Sequence, residues 1–267
     1  VIILYDDTAP ARFGPIAELR SPSEVRAGAL RLEEKHSRLS ASYGRLADRF
    51  NILEPLQIWE GIQHQDDEPI LLLDSRAVIY DLASLEGRRN ALFRMEADSR
   101  LLGMHIPAGS VEMLRRSLAS QKLHDIAAVL PVHEVAGFRY DYPWEIVERI
   151  GLEIRFDFLA EAGSASFELW QPPADVIVRG LDNVQTAGNV TIGPGAIVNA
   201  ESGAVRIEPG VSLGAGAIID ASQGPVWLDR EVRIESGAIL SGPLYIGPRS
   251  IIRPGARLNG DIALGPP

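Results

Sequence analysis

From Val178 to its end the chain places an aliphatic residue at nearly every sixth position. The run is Ile192, Val198, Ile207, Leu213, Ile219, Leu228, Ile234, Leu240, Ile246, Ile252, Leu258 and Leu264; nine of its eleven steps are six residues and the other two are nine. Gly, Pro, Ala and Ser crowd the positions between, as in Ile192-Gly193-Pro194-Gly195-Ala196-Ile197 and Ile246-Gly247-Pro248-Arg249-Ser250-Ile251. A helix repeats at about 3.6 residues and a strand at about 2, so neither produces this period. A parallel β-solenoid does: each hexad is a short flat strand plus a turn, and its aliphatic residue points into a shared core. Each coil buries that face only against its neighbours, so stability comes from stacking.

Three hexads close one triangular coil, so every third hexad should share a corner. Gly203, Gly224, Gly242 and Gly260 stand four before the anchors Ile207, Leu228, Ile246 and Leu264. Val205, Val226, Leu244 and Ile262 stand two before the same anchors. The spacings are 21, 18 and 18, and both nine-residue steps fall on this corner, one coil apart. Glycine there is expected to supply the backbone angles of a sharp corner. Twelve hexads make about four coils, rising about 19 Å at the usual strand spacing of ~4.8 Å. The chain stops at Gly265-Pro266-Pro267, soon after an anchor. An uncapped solenoid end exposes pairing edges, so further coils are expected in the full gene product.

The 267 residues suffice for two cores. The expected division is an α/β domain over residues 1–172 and the solenoid over 173–267, parted at Trp170-Gln171-Pro172-Pro173. The absence of cysteine excludes disulfide and thiolate chemistry and fits a cytoplasmic location. A net charge of −10 without a basic stripe argues against a nucleic-acid polymer as partner. No apolar run approaches a membrane span, and Val1-Ile2-Ile3-Leu4 is too short for a signal-peptide core. It reads as a buried first strand.

Apolar runs alternate with helical patterns as far as about residue 170, which suggests an α/β sheet. Ser21-Pro22-Ser23-Glu24 reads as a capping box for a helix whose inner face is Val25, Ala29, Leu32 and His36. Pro69–Leu73 and Val78–Tyr80 read as strands about Asp74-Ser75-Arg76. Ser110–Leu123 reads as a second helix, and Asp141–Ala162 as a third with Val147, Ile150, Ile154 and Phe158 inward. Strand, polar loop, helix is where α/β domains take phosphorylated ligands. In the loop after the first strand and just beyond it, Arg12, Arg20 and Arg26 are candidates for planar, bidentate phosphate contacts. Asp74 ends a strongly apolar strand and is the candidate ligand for Mg²⁺. The plainer readings are flanking arginines and a turn-initiating aspartate.

Several segments carry a resemblance. Ile3-Leu4-Tyr5-Asp6-Asp7, Arg12-Phe13-Gly14-Pro15-Ile16-Ala17-Glu18-Leu19-Arg20-Ser21-Pro22, Glu24-Val25-Arg26-Ala27-Gly28, Tyr142-Pro143-Trp144-Glu145-Ile146, Asp157-Phe158, Gly224-Pro225-Val226-Trp227-Leu228 and Gly242-Pro243-Leu244-Tyr245-Ile246 resemble the opening strand, R-x-x-P-L-T-x-x-R-P, I-R-x-G, P-W-D, D-F and G-P-V-Y-I motifs of the GlmU-like sugar nucleotidyltransferase family. The resemblance implies a nucleotidyltransferase-like domain followed by a left-handed parallel β-helix of hexapeptide repeats. It implies a sugar-nucleotide-type transferase acting on a sugar phosphate and a nucleotide, with acetyl-CoA a candidate co-substrate of the solenoid. Two departures qualify it. The family's glycine-rich A-A-G-x-G-T-R loop is replaced by Tyr5-Asp6-Asp7-Thr8-Ala9-Pro10-Ala11-Arg12, and none of the five histidines falls in the solenoid. A base for acyl transfer would lie beyond Pro267 or be a carboxylate such as Asp220 or Glu235. The alternative is a non-catalytic trimeric binding or assembly module with a degenerate nucleotidyltransferase domain.

Ile197, Val211, Ile218, Val232, Ile239 and Ile251 sit one or two before an anchor, so several should face outward. Such a stripe exceeds what monomers usually expose, and packing three prisms about an axis would bury it. The expected assembly is a homotrimer through the β-helix.

Overall fold

A computed structural model describes residues 2–6, 13–14, 21–39, 46–51, 70–81, 83–85, 87–107, 109, 130–161 and 170–266; the side chains of Asp6 and of 46–51 lie outside that description. The elements of the N-terminal half are β1 (Ile2–Asp6), β2 (Arg26–Ala27), β3 (Leu30–Arg31), α1 (Leu32–Ser37), β4 (Leu46–Asn51), β5 (Ile70–Asp74), β6 (Ala77–Ile79), β7 (Ala91–Met95), β8 (Leu101–Ile106), β9 (Val132–Val135) and β10 (Gly137–Arg139). Next come α2 (Pro143–Glu148) and α3 (Ile150–Ala160). By contacts the chain forms two compact units: Val1–Val25 with Arg31–Glu145, and Arg26–Leu30 with Ile146–Pro267.

The first unit is built on a six-stranded mixed sheet ordered β4-β1-β5-β8-β7-β9. β1 pairs in parallel with both β4 and β5, and β8 runs antiparallel to its neighbours β5 and β7. All five residues of β5 are buried, as a central strand covered on both faces requires. Ile2, Leu4, Leu71, Leu73, Phe93, Leu102 and Val135 pack one face of the core. β6 and β10 form a separate antiparallel pair.

The expected helix from Pro22 to His36 is not a single helix. Pro22–Glu24 is one 3-10 turn without a side-chain cap, the chain is extended across β2 and β3, and only Leu32–Ser37 is α-helical. Gly28 at φ +81 lies between β2 and β3, in a conformation that stops a right-handed helix. The helix expected over Asp141–Ala162 is divided at Arg149, which leaves the helical region at φ −106, ψ 2. Ile154 and Phe158 face inward as expected, whereas Val147 is 65% exposed. The helix read at Ser110–Leu123 lies outside the described residues.

The second unit carries a parallel β-solenoid of about four coils. Its strands are β11 (Ile177–Arg179), β12 (Val184–Thr186), β13 (Thr191–Ile192), β14 (Ile197–Asn199), β15 (Val205–Ile207), β16 (Ser212–Leu213), β17 (Ile218–Asp220), β18 (Val226–Leu228), β19 (Arg233–Ile234), β20 (Ile239–Ser241), β21 (Leu244–Ile246), β22 (Ile251–Ile252), β23 (Arg257–Asn259) and β24 (Ile262–Leu264). They stack as three sheets, β11-β14-β17-β20-β23, β12-β15-β18-β21-β24 and β13-β16-β19-β22. The pairing Val205↔Val226↔Leu244↔Ile262 reproduces the spacings of 21, 18 and 18. Both nine-residue steps fall at the corner between the first and second sheets, at β14–β15 and β17–β18. The anchors from Val198 to Ile252 line one continuous core. Each fully buried aliphatic contributes about 1.5–3 kcal/mol of transfer free energy.

Two expectations change in detail. At Gly203 and Gly242 the demand is for room: a Cβ would strike the carbonyl oxygen of Ala221 and of Gly224 respectively, in the adjacent coil. Val211 and Val232, two before their anchors, point inward and are buried, because side chains two apart share a face. The outward aliphatics are those one before an anchor. Ile177, Ile197, Ile218 and Ile239 form one ladder along the first sheet, and Ile251 is 45% exposed.

The outer face of the second sheet is covered by α3. Its outward column runs Arg206, Trp227, Tyr245, Ala263, and Ile154 and Phe158 of α3 pack with Trp227 and Tyr245. Arg206 is sandwiched between the rings of Phe158 and Trp227, its Cζ 4.9 and 4.6 Å from their centroids. Its Nη2 donates to the Glu161 carbonyl at the carboxyl end of α3, at 3.1 Å. At the other end the Asp261 carboxylate lies against Gly151 in the first turn. An anion at the amino end and a cation at the carboxyl end both oppose the helix dipole favourably.

Candidate functional site

The order β4-β1-β5 means the chain leaves β1 for one side of the sheet and returns on the other. At such a reversal the connections part, and a crevice opens beyond the carboxyl ends of the strands. Those ends here are Tyr5-Asp6 and Asp74, with Tyr5 and Asp74 in register and Ser75 N–H donating to the Tyr5 carbonyl at 2.8 Å.

Asp74 is fully buried. Its Oδ1 accepts from the Arg76 backbone N–H at 2.9 Å and from Arg76 Nε at 3.1 Å, and its Oδ2 accepts from Arg76 Nη2 at 2.9 Å. The Asp74-Ser75-Arg76 turn thus closes on itself as a bidentate, charge-assisted pair. Arg139 Nη1 lies 3.8 Å from Asp74 Oδ2. Arg139 Nε donates to Asp141 Oδ1 at 3.1 Å, and Arg76 Nη1 lies 3.6 Å from that same oxygen. Arg100 extends the network through Asp98 at 2.6 Å and Glu145 at 3.2 Å. Glu145 Oε2 in turn accepts the backbone N–H groups of Asp141 at 2.6 Å and Tyr142 at 3.0 Å. Beside it the rings of Tyr142 and Trp144 stack with centroids 4.4 Å apart.

Of the four candidate residues, Asp74 is thus placed at the carboxyl edge of the sheet, in this ionic network. Two guanidinium groups surround it, so in this arrangement it does not fit a magnesium ligand. Among the described residues no three His, Cys, Asp or Glu side chains are grouped as a metal ion requires. Arg12 and Arg20 lie outside the described residues. Arg26 belongs to the second unit, where its guanidinium donates to the Ala29 carbonyl and lies 5.0 Å over the Tyr245 ring. Of the solenoid carboxylates, Asp220 ends β17 and Glu235 directly follows β19. Asp220 accepts from Asn199 Nδ2 and from the Ser222 N–H, both at 3.0 Å, and Glu235 lies 3.8 Å from an exposed Arg253.

Residue pattern alone did not reveal Arg76, Arg100, Arg139, Asp141 and Glu145 as one cluster. The local signals were the two-residue spacings of Asp74 and Arg76, Asp98 and Arg100, and Arg139 and Asp141. The rest depends on β10 pairing antiparallel to β6, with Arg139 opposite Ala77. Two buried histidines also lie among the described residues of this unit. His36 Nε2–H donates to the Ala77 carbonyl at 2.6 Å, and burial lowers its pKa to about 4. His105 Nδ1 accepts from the Asn90 N–H at 3.2 Å, and burial lowers its pKa as well. Both are neutral scaffold groups at physiological pH.

No protein-family profile matches the chain, and a search of curated proteins finds no match. No helix among the described residues is long and apolar enough to cross a membrane.

Proposed function

We propose that the protein is a sugar-nucleotide-type transferase: a nucleotidyltransferase-like unit with its ligand crevice at the carboxyl ends of β1 and β5, joined to a left-handed β-helix. The observation that carries this reading is the reversal of strand order at β1, which supports a phosphorylated ligand beyond Asp6 and Asp74. Arg12 and Arg20, on the chain that leaves β1, supply charge for a sugar phosphate and a nucleoside triphosphate; phosphoryl-type transfer needs mainly positioning and charge stabilisation. A magnesium ion would be brought by the nucleotide's phosphates. Acetyl-CoA is the co-substrate proposed for the solenoid, and a homotrimer through the β-helix is the proposed assembly. The test is a thermal-shift screen of the full chain against nucleoside triphosphates and sugar 1-phosphates with Mg²⁺. A ligand at a hundred times its Kd adds about 2.7 kcal/mol. Stabilisation by one of them, lost in Arg12→Ala with Arg20→Ala, supports the reading, and no shift with any sinks it.

One observation favours a second reading, a non-catalytic trimeric binding or assembly module. Asp74, at the centre of the proposed crevice, is neutralised by Arg76 in a fully buried pair. A carboxylate so engaged is a structural tie. Under this reading the ligand screen is silent, and light scattering still gives about three times 29.0 kDa.

A further inference from the structure

The motif Tyr142-Pro143-Trp144-Glu145, which the proposed chemistry did not use, lies wholly within the first unit. β5 runs parallel to β1 and antiparallel to β8, and β7 runs antiparallel to β8 and parallel to β9. The carboxyl ends of β1, β5, β7 and β9 therefore share one edge of the sheet with the start of β8. Tyr140 N–H donates to the Arg76 carbonyl at 3.2 Å, so the chain leaving β10 passes beside the Asp74-Ser75-Arg76 turn at that edge. Trp144 follows Asp141 by three residues, at most about 11 Å of chain. Its ring stacks on Tyr142 with the planes 12° apart, yet Trp144 is 56% exposed. The tyrosine backs one face of the indole, and the exposure lies on the rest of it. Glu145 holds the stack in place: Oε2 accepts the Asp141 and Tyr142 N–H groups, and Oε1 accepts from Arg100 Nη1 at 3.2 Å.

We propose that the open face of Trp144 is a stacking platform for the base of a nucleotide. The path of that nucleotide's phosphates rests on the crevice reading given above; the platform stands on the ring pair itself. The polar groups around it favour a base over other occupants. Among the described residues of the network, the carboxylates of Asp74, Asp98, Asp141 and Glu145 face the guanidinium groups of Arg76, Arg100 and Arg139, close to charge balance. Such a rim gives a cationic ligand little attraction. A sugar ring can stack through its C–H face, but its hydroxyls then call for acceptors, and the acceptors here are engaged. Asp98 takes the Arg100 N–H at 3.1 Å and Arg100 Nε at 2.6 Å, Asp141 takes Arg139 Nε at 3.1 Å, and both Glu145 oxygens are occupied. A base asks for less, because every base has a flat π face that stacks whatever its edge carries. Stacking without edge contacts also sets the preference: purines bind better than pyrimidines, and adenine is barely told from guanine.

Calorimetric titration of the full chain with ATP, GTP, CTP and inorganic tripolyphosphate, each with Mg²⁺, tests this. ATP and GTP are expected to bind within about threefold of each other, and both tighter than CTP. Trp144→Ala should weaken ATP and GTP by about fivefold or more and leave tripolyphosphate unchanged. Trp144→Phe, which keeps a ring, should recover most of the loss. Trp144 is exposed, so both variants should keep the wild-type circular dichroism. An ATP affinity unchanged in Trp144→Ala overturns the platform and leaves the crevice reading standing. A loss shared equally by tripolyphosphate also overturns it, since the substitution then acts on the phosphate site. If no triphosphate binds, the crevice reading falls and adenosine decides the platform. Quenching of tryptophan fluorescence by adenosine that disappears in Trp144→Ala upholds it, and no quenching in the wild type overturns it.

Discussion

Lowering the pH should destabilise the first unit through His36. The ring is buried against β6, and its one hydrogen bond among the described contacts donates Nε2–H to the Ala77 carbonyl; buried Nδ1 has no partner there. Protonation would put a charge and an unpaired N–H into the core, which is why burial lowers the pKa from 6.5 to about 4. The folded-state pKa lies below the unfolded one, so between these values the unfolded chain binds more protons. The stability His36 permits is therefore complete above about pH 6.5 and falls away as pH drops toward 4. The full loss is about 3 kcal/mol, of which about 2 kcal/mol should be gone by pH 5. His36→Gln keeps a donor for Ala77 and cannot titrate. Native-state exchange of the Leu72 and Leu73 amides in β5 reads the unit's stability. Between pH 7 and pH 5 their protection, corrected for intrinsic rates, should fall about 20-fold more in the wild type than in His36→Gln. His105, also lowered by burial, contributes equally to both proteins and cancels. Parallel losses in the two proteins, or a His36 ring that titrates near 6.5 by NMR, would falsify the argument.

Further outcomes can be measured on the same chain. Asp74→Ala should cost about 3–5 kcal/mol in urea denaturation, because it removes the bidentate partner of a buried guanidinium; Asp74→Leu with Arg76→Met should recover most of it. Gly242→Ala should destabilise the solenoid by about 1–3 kcal/mol, since the new methyl meets the Gly224 carbonyl of the next coil. Leu240→Ala should cost about 2–5 kcal/mol by opening a cavity in the solenoid core. If the Ile197–Ile218–Ile239 ladder seals a trimer, Ile218→Ser with Ile239→Ser should shift light scattering toward 29.0 kDa and leave the coils folded by circular dichroism.

The solenoid was legible because its core is one-dimensional. An anchor such as Leu240 touches only the coils beside it, so period and register are written locally, down to the three-residue insertions ahead of Ile207 and Leu228. The same pattern could not say which face of the prism would be covered. Trp227 and Tyr245 stand one before an anchor, on the outer face, and it is α3 that makes them core. In the N-terminal half the strands at Ile70–Asp74 and Ala77–Ile79 were readable from apolar runs broken by Asp74-Ser75-Arg76. The segment after Pro22 was not, because its conformation is decided by Asp157, more than a hundred residues away. Arg26 illustrates the limit of residue type as a guide. An arginine after a polar loop suggested phosphate, and its guanidinium is spent on a carbonyl and an aromatic ring instead. Asp74 was placed correctly at a strand end, but its neutralisation by Arg76 and Arg139 depends on a pairing of β6 with β10 that no local spacing announces.

Solenoids diversify readily by gaining and losing whole coils, since one more repeat looks to its neighbours like the last. Here α3 restricts that freedom. Its eleven residues span about 16 Å, and the rise from β15 to β24 is three strand spacings, or about 14 Å. Arg206 marks one end of this interval and Asp261 the other, so the helix acts as a gauge against which the coils between them are counted. A coil inserted between Leu228 and Leu244 would carry one marker about 4.8 Å past its helix end, leaving either the buried arginine without the Glu161 carbonyl or the aspartate without the first turn. The same eighteen residues added after Leu264 would meet no such check. Growth of this protein, in nature or by design, is therefore closed along the stretch the helix measures.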